Sequence, residues 1–301
     1  MIRRVNWFQV VSWLAVVAAI IFLFGVEGNN EEAANQGRSA MGWMVGRWMW
    51  AKTDMSHGWL IPLVSLAMLW TRRKDLQGAE CQVSWSSLGV ILIALLLYLV
   101  GIRVQQTILV LLALVTLIWG IPFLFLGRKI ARILLFPCAY LVFCIPMTFL
   151  DYLTFPLRLV SSSVSVGLLN GFGIPVAQSG TAIFIKVGEG LALDVAHPCS
   201  GLRYLLAMVA LTTAYAYFTQ HTALKRGILI LAAVPLAMAG NIARITLIAL
   251  VGLVSGQEFA LGFYHDYSGY IVFGVATLLM LGVGRLLDWR WFRGRKEAPN
   301  D

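Results

Sequence analysis

The chemistry in this chain gathers around one short stretch, Ala196-His197-Pro198-Cys199-Ser200-Gly201-Leu202-Arg203. Pro198 suits a first helical turn, so Cys199 falls near a helix N-terminus, whose partial positive charge favours a thiolate. Arg203 stands four residues on, one turn deeper on the same face, and adds positive charge. Ser200 and Gly201 leave little bulk beside the sulfur, so a substrate has room to approach. A lone cysteine in an apolar chain is more often packing than catalysis, and Cys144 offers a disulfide partner as a structural alternative. The open surroundings of Cys199 favour the nucleophile.

Two other groups complete a plausible reaction centre. Arg244 lies in Ala239-Gly240-Asn241-Ile242-Ala243-Arg244-Ile245-Thr246, inside a long apolar run. A guanidinium in lipid costs about 2.5–3.5 kcal/mol on insertion scales, so such a residue faces a partner or a water-filled site. The partner is either structural (Asp194, Asp266 or a backbone carbonyl) or an anion of the reaction, the thiolate or the oxyanion that follows it. His265 suits proton transfer, since a free imidazole changes charge near neutrality. Asp266 is a weak candidate to orient it, because adjacent helical residues point apart. His197 is a rival base two residues from Cys199, and Asp54 with His57 forms another pair upstream.

The elements that position these residues follow from composition. The chain is 59% hydrophobic and 12% charged, with a mean hydropathy of +0.81; a soluble domain carries about a quarter charged residues. This is the profile of an integral membrane protein. The 23 basic against 14 acidic residues fit an anionic cytoplasmic leaflet better than nucleic acid. Cys81, Cys138, Cys144 and Cys199 have no zinc-type spacing, and neither metal nor cofactor is expected.

In chain order, the run at 7–24 behind Arg3 and Arg4 reads as a retained first helix. Residues 25–56, with Trp43, Trp48 and Trp50, read as an interfacial extracytoplasmic loop, since tryptophan favours the bilayer surface. Spans follow near 57–71, 86–102, 105–126, 130–147, 199–219, 227–254 and 267–286, about eight in all at ~20 residues per full span. Residues 148–175 are punctuated by Pro156, Gly171, Gly173 and Pro175, and fit an interfacial or re-entrant helix. From Thr181 to Val195 the apolar period becomes two, interrupted by Gly188-Glu189-Gly190, which predicts a β-hairpin outside the lipid within 171–198. Basic clusters at 3–4, 72–74, 128–132, 225–226 and 285–296 alternate consistently if both termini are cytoplasmic, leaving 287–301 as a basic tail. The expectation is one all-α polytopic membrane domain over 1–301. Cys199, His265 and the Arg244 half of its span all fall on the outer side.

These residues resemble the exosortase/archaeosortase family. Cys199-Ser200-Gly201-Leu202-Arg203, Asn241-x-x-Arg244 and His265 ahead of the last span look like its Cys/Arg/His signature. Ser56-His57-Gly58-x-Leu60-Ile61-Pro62, then Trp70-x-Arg72-Arg73, looks like an early segment of the same family. Pro198 and His197 depart from it, standing where members often carry a small and an acidic residue. The resemblance implies a membrane cysteine protease or transpeptidase acting on exported proteins at the outer face of the cytoplasmic membrane. Its target would be a C-terminal sorting tail: a short motif (commonly Pro-Glu-Pro), a transmembrane helix and a basic cluster. It implies catalysis by Cys199, Arg244 and His265, with Arg203, Ser200, Gly201, Asn241, His197, Asp266, Asp54 and His57 in support. The partners would be the sorting tail, the bilayer and an acceptor, amine or water. Two other classes compete. A multi-pass transporter is suggested by intramembrane Arg244 and the breaks at Pro235 and Gly240, and opposed by polar groups clustered at one surface instead of the midplane. A noncatalytic scaffold for export or exopolysaccharide assembly is the other.

Overall fold

In lipid every backbone polar group must be satisfied within its own segment, so apolar runs fold as helices. The computed structural model describes residues 7–29, 37–49, 55–147, 149–185, 191–194, 202–260 and 265–295. The helices are α1 (Trp7–Ile20), α2 (Ala40–Met49), α3 (Leu60–Thr71), α4 (Arg73–Gln77), α5 (Ser87–Arg103), α6 (Thr107–Leu126), α7 (Arg128–Tyr140), α8 (Leu150–Gly171), α9 (Leu202–Thr219), α10 (Ala223–Ser255), α11 (Gln257–Phe259) and α12 (His265–Arg295). Among the described residues, three segments are long and apolar enough to cross a membrane: Thr107–Leu126, Ala223–Ser255 and Tyr267–Leu287. Leu14–Val26, Ser87–Arg103 and Leu205–Thr219 are apolar but shorter. Large apolar side chains stand exposed along α3 (Leu60, Leu63, Leu66) and α12 (Ile271, Leu278, Leu279), surface that lipid would cover.

The chain divides into two compact units, Met1–Met147 and Thr148–Asp301. In the first, α5 and α6 form a tight helical hairpin. Gln106 N–H donates to Gly101 O at 2.9 Å and Gln105 N–H to Ile102 O at 3.4 Å, with Gln105 at φ 57°. That is the left-handed cap in which glycine is usual. The span expected through 147 ends early. α7 stops at Tyr140 and continues as a 3-10 turn, Leu141–Cys144, and Ile145 is extended (φ −79°, ψ 124°) because Pro146 disfavours a helical residue before it.

Two of the tryptophans of 25–56 expected at the bilayer surface, Trp43 and Trp48, are instead core, and Trp50 lies outside the described residues. Trp43 is fully buried and Trp48 nearly so. Trp48 Nε1 donates to Cys144 O at 2.8 Å, a carbonyl at a helix end that lacks a helical partner. A buried indole needs an acceptor for its N–H, and this one supplies it. The Trp48 ring lies against Gly58, where any Cβ would strike the indole. Cys144 is a free buried thiol, its Sγ 3.9 Å from Met44 Sδ.

In the second unit α8 runs 22 residues without a break, through Pro156. Three strands follow: β1 (Val176–Ser179), β2 (Ala182–Ile185) and β3 (Leu191–Asp194), antiparallel in the order β1-β2-β3. β2 and β3 lie in the alternating stretch; β1 was not anticipated, and the Gly188–Gly190 turn lies outside the described residues. Ile183 and Ile185 face inward and Phe184 outward. The inner face packs on Leu169 of α8 and on Ile245, Ile248 and Ala249 of α10. α10 has 33 residues, about 50 Å of helix. α12 has 31 and continues through the expected basic tail to Arg295.

Candidate active site

Helices α9, α10 and α12 share a core of Met208, Leu229, Ala237, Ala276 and Met280. The pairing of α12 with α9 is parallel: Thr277 Oγ1 lies 4.0 Å from Met208 Sδ, and Thr212 Oγ1 2.9 Å from Met280 Sδ. A Cβ on Gly284 would come within 2.6 Å of the Tyr215 ring. The pairing of α12 with α10 is antiparallel, and the two come close at Gly240, where a Cβ would sit 2.9 Å from Val272 Cγ1. One turn further along α10 and one turn back along α12, Arg244 Nε donates to Ser268 Oγ at 3.2 Å. Arg244 is 3% exposed and Ser268 2%, so the missing side chain at Gly240 lets the guanidinium reach a buried hydroxyl.

Asn241 sits between two clefts. Toward α12, a narrow space of about 10 Å³ is lined by Met208, Gly240, Asn241, Arg244, Val272 and Phe273. Toward α8, one of about 20 Å³ is lined by Thr154, Arg158, Ser161, Leu205, Met238 and Asn241. Two serines fasten α8 beside them. Ser162 Oγ donates to Thr181 O and Ser165 Oγ to Ile242 O, each at 3.3 Å.

A model of the transmembrane exosortase family matches residues 49–282. The chain belongs to that family. No curated protein and no solved structure matches it significantly. Exosortase-family membership makes this a membrane protein of a sorting-enzyme class. It also returns attention to the residues that carried the resemblance.

Of those residues, Arg244 and Asn241 lie together on α10. His265 and Asp266 are the first two residues of α12, and Arg203 is the second of α9; for these three the backbone alone is described. Ser268, the partner of Arg244, is one turn along α12 from His265. His57 belongs to the first unit, in the 3-10 turn Ser56–Trp59, with Nε2 buried. Cys199, Ser200, Gly201, His197 and Asp54 lie outside the described residues. Sequence reasoning missed Ser268 and Arg158. Thr154, Arg158, Ser161 and Ser165 recur at helical spacing within the helix expected over 148–175.

Proposed function

We propose that this chain is a cysteine protease or transpeptidase of the cytoplasmic membrane that cleaves the C-terminal sorting tail of exported proteins at the outer face. The observation that carries the reading is the Arg244–Ser268 contact. It brings the buried guanidinium to a point one turn from His265, and residues three apart share a helix face. Helices α9 and α12 run parallel, Met208 pairing with Thr277 and Thr212 with Met280; Cys199 enters this reading from the sequence alone.

Depth supports the outer face. Open sheet edges are not tolerated in hydrocarbon, and the three-stranded sheet packs on α10 just beyond Arg244. The stretch from Arg226 to Arg244 is about 27 Å of helix, close to the ~30 Å hydrocarbon core. With Lys225 and Arg226 at the cytoplasmic surface, Arg244 stands near the opposite one.

In this mechanism the Cys199 thiolate attacks the scissile carbonyl carbon, forming a C–S bond and moving the π electrons onto oxygen. The Arg244 guanidinium holds that oxyanion. Collapse breaks the C–N bond while His265, as imidazolium, gives its proton to the leaving amine. The thioester is then attacked by an amine or water, whose proton returns to His265 as the thiolate leaves. Arg203 would steady the thiolate or a substrate carboxylate. The partners are the tail, the bilayer and the acceptor.

A membrane cleavage assay tests this. A reporter bearing a Pro-Glu-Pro tail is co-expressed with wild type, Cys199→Ala, Arg244→Ala, His265→Ala and His197→Ala, and its size is read on a gel. Cleavage by wild type and His197→Ala alone, with all variants inserted equally, is the expected pattern. Cleavage by Cys199→Ala would sink the mechanism.

A further inference from the structure

The two outer strands of the sheet are finished differently. At β1 the Asn170 side chain takes both backbone groups of Val176. Its Oδ1 accepts the N–H at 2.9 Å and its Nδ2 donates to the carbonyl at 3.4 Å. Val176 therefore turns its N–H and C=O away from β2, and the rest of the ladder follows, because opposed residues alternate between bonded and non-bonded pairs. Val176 stands opposite Ile185 and Ala177 opposite Phe184, so Phe184 bonds toward β1 while Ile183 and Ile185 bond toward β3. Their partners there are Leu193 and Leu191. The N–H and C=O of Ala192 and Asp194 are left pointing outward, along the far edge of β3. Among the described residues no strand lies beyond that edge.

An outward row of N–H and C=O groups is a template for another strand, and an edge that is not used for pairing is blunted. Asn170 blunts β1. The edge of β3 instead runs toward the reaction centre. The inner face of the sheet shares a core with Ile245, the neighbour of Arg244, and β3 itself lies against α10. Cys199 follows Asp194 by five residues, at most about 18 Å of chain at ~3.3–3.6 Å per residue. A peptide laid along β3 reaches both catalytic positions within a few residues. Resting on the tail-cleaving reading, we infer that the outer edge of β3 is a docking edge for substrate. The extended segment of the exported protein beside the scissile bond adds to the sheet there as a fourth strand, exchanging backbone hydrogen bonds with Ala192 and Asp194. Main-chain bonds of this kind supply affinity, and they engage every second residue of the added strand.

The test looks for that period of two. The full chain carrying Cys199→Ala is placed in nanodiscs of zwitterionic lipid, and the Kd of fluorescent synthetic tails is measured by anisotropy. Each tail carries a single backbone N-methyl group, moved residue by residue through the non-proline positions in and around a Pro-Glu-Pro motif. The Kd should rise about tenfold at alternate positions, where the lost N–H faced β3, and stay within about twofold at those between. Ala192→Pro removes an outward N–H and spares the ladder to β2; it should weaken the unmodified tail about fivefold. Gln178→Pro does the same to β1, the edge held by Asn170, and should leave the Kd within about twofold. If Ala192→Pro does not fold, the N-methyl series on the unaltered strand decides. Loss without alternation, tolerance at every position, no binding of the unmodified tail, or indifference to Ala192→Pro overturns the docking edge. Weakening by Gln178→Pro alone overturns it in favour of β1, and a dimer that Ala192→Pro dissolves overturns it in favour of a second copy of the chain. Cleavage is scored separately on the Cys199 chain. An alternating Kd without cleavage keeps the edge and removes the nucleophile; cleavage with kcat/KM indifferent to N-methylation does the reverse.

Discussion

The two units bury polar groups in different ways. In Met1–Met147 several buried polar groups pair one to one between elements far apart in sequence. Ser65 Oγ donates to Pro137 O, Thr107 Oγ1 to Asn29 Oδ1 and Trp48 Nε1 to Cys144 O, each at 2.8 Å. In Thr148–Asp301 they converge across helices on one stretch of α10. Ser165 reaches Ile242 O, Ser268 meets Arg244, and Asn241 Oδ1 is left open. Satisfied polar groups specify packing, whereas a buried charge and an unsatisfied acceptor side by side cost stability and are retained where chemistry needs them. On the proposed reading, the second unit gives up some stability to keep Arg244 and Asn241 side by side for the reaction.

The largest effect that sharpens the contrast is Arg244→Ala. Cleavage rate in membranes should fall about 10²–10³-fold, the cost of losing an oxyanion donor. Arg244→Lys should recover little of it, since a lysine cannot reproduce the fork of a guanidinium. Next come two glycines, one from each unit. Gly240→Leu forces α10 from α12 and Gly58→Leu displaces the Trp48 indole. Each should lower stability by about 1–3 kcal/mol of overpacking, read as thermal unfolding in detergent. Gly240→Leu should also slow cleavage beyond its loss of folded protein, because it carries Arg244 away from Ser268; an equal loss of specific activity in both variants would break the contrast. Smaller still, Trp48→Phe leaves Cys144 O without its donor and should cost about 1 kcal/mol. The smallest effect is a gain. Gln105→Gly should raise the melting temperature by a degree or two, relieving a non-glycine left-handed residue at a cost near 1 kcal/mol against the greater unfolded freedom of glycine.

Helices were legible wherever apolar composition ran unbroken, and α5, α6 and α10 fall within a few residues of their expected bounds. Periodicity also exposed β2 and β3, because Ile183 and Ile185 alternate with Phe184. Residues 148–175, expected as an interfacial or re-entrant helix, are largely α8, which is not among the segments long and apolar enough to cross. Pro156 sits inside α8, since a helix packed on neighbours tolerates a missing hydrogen bond that an isolated one does not. At Pro146, within the span expected over 130–147, the chain turns out of helix early. The Trp43 and Trp48 environment was illegible because the same amphipathic side chain suits an interface or a core with one acceptor, and the acceptor, Cys144 O, is 96 residues away. Arg244 was recognisable by its cost in lipid. Ser268 was not, because a serine near a helix start carries no signal until the α10–α12 register is known.

The length of α10 and α12 has one more consequence. In the proposed orientation each is a continuous rod with its basic end, Lys225 and Arg226 on one, Arg290 and Arg293 on the other, moored in the inner leaflet. Positions 244 and 265 therefore take their height from the far surface. Bilayer thickness becomes a variable of the reaction centre: in a membrane a few ångströms thicker both positions sink together, their mutual spacing kept by the antiparallel register while their reach above the lipid shortens.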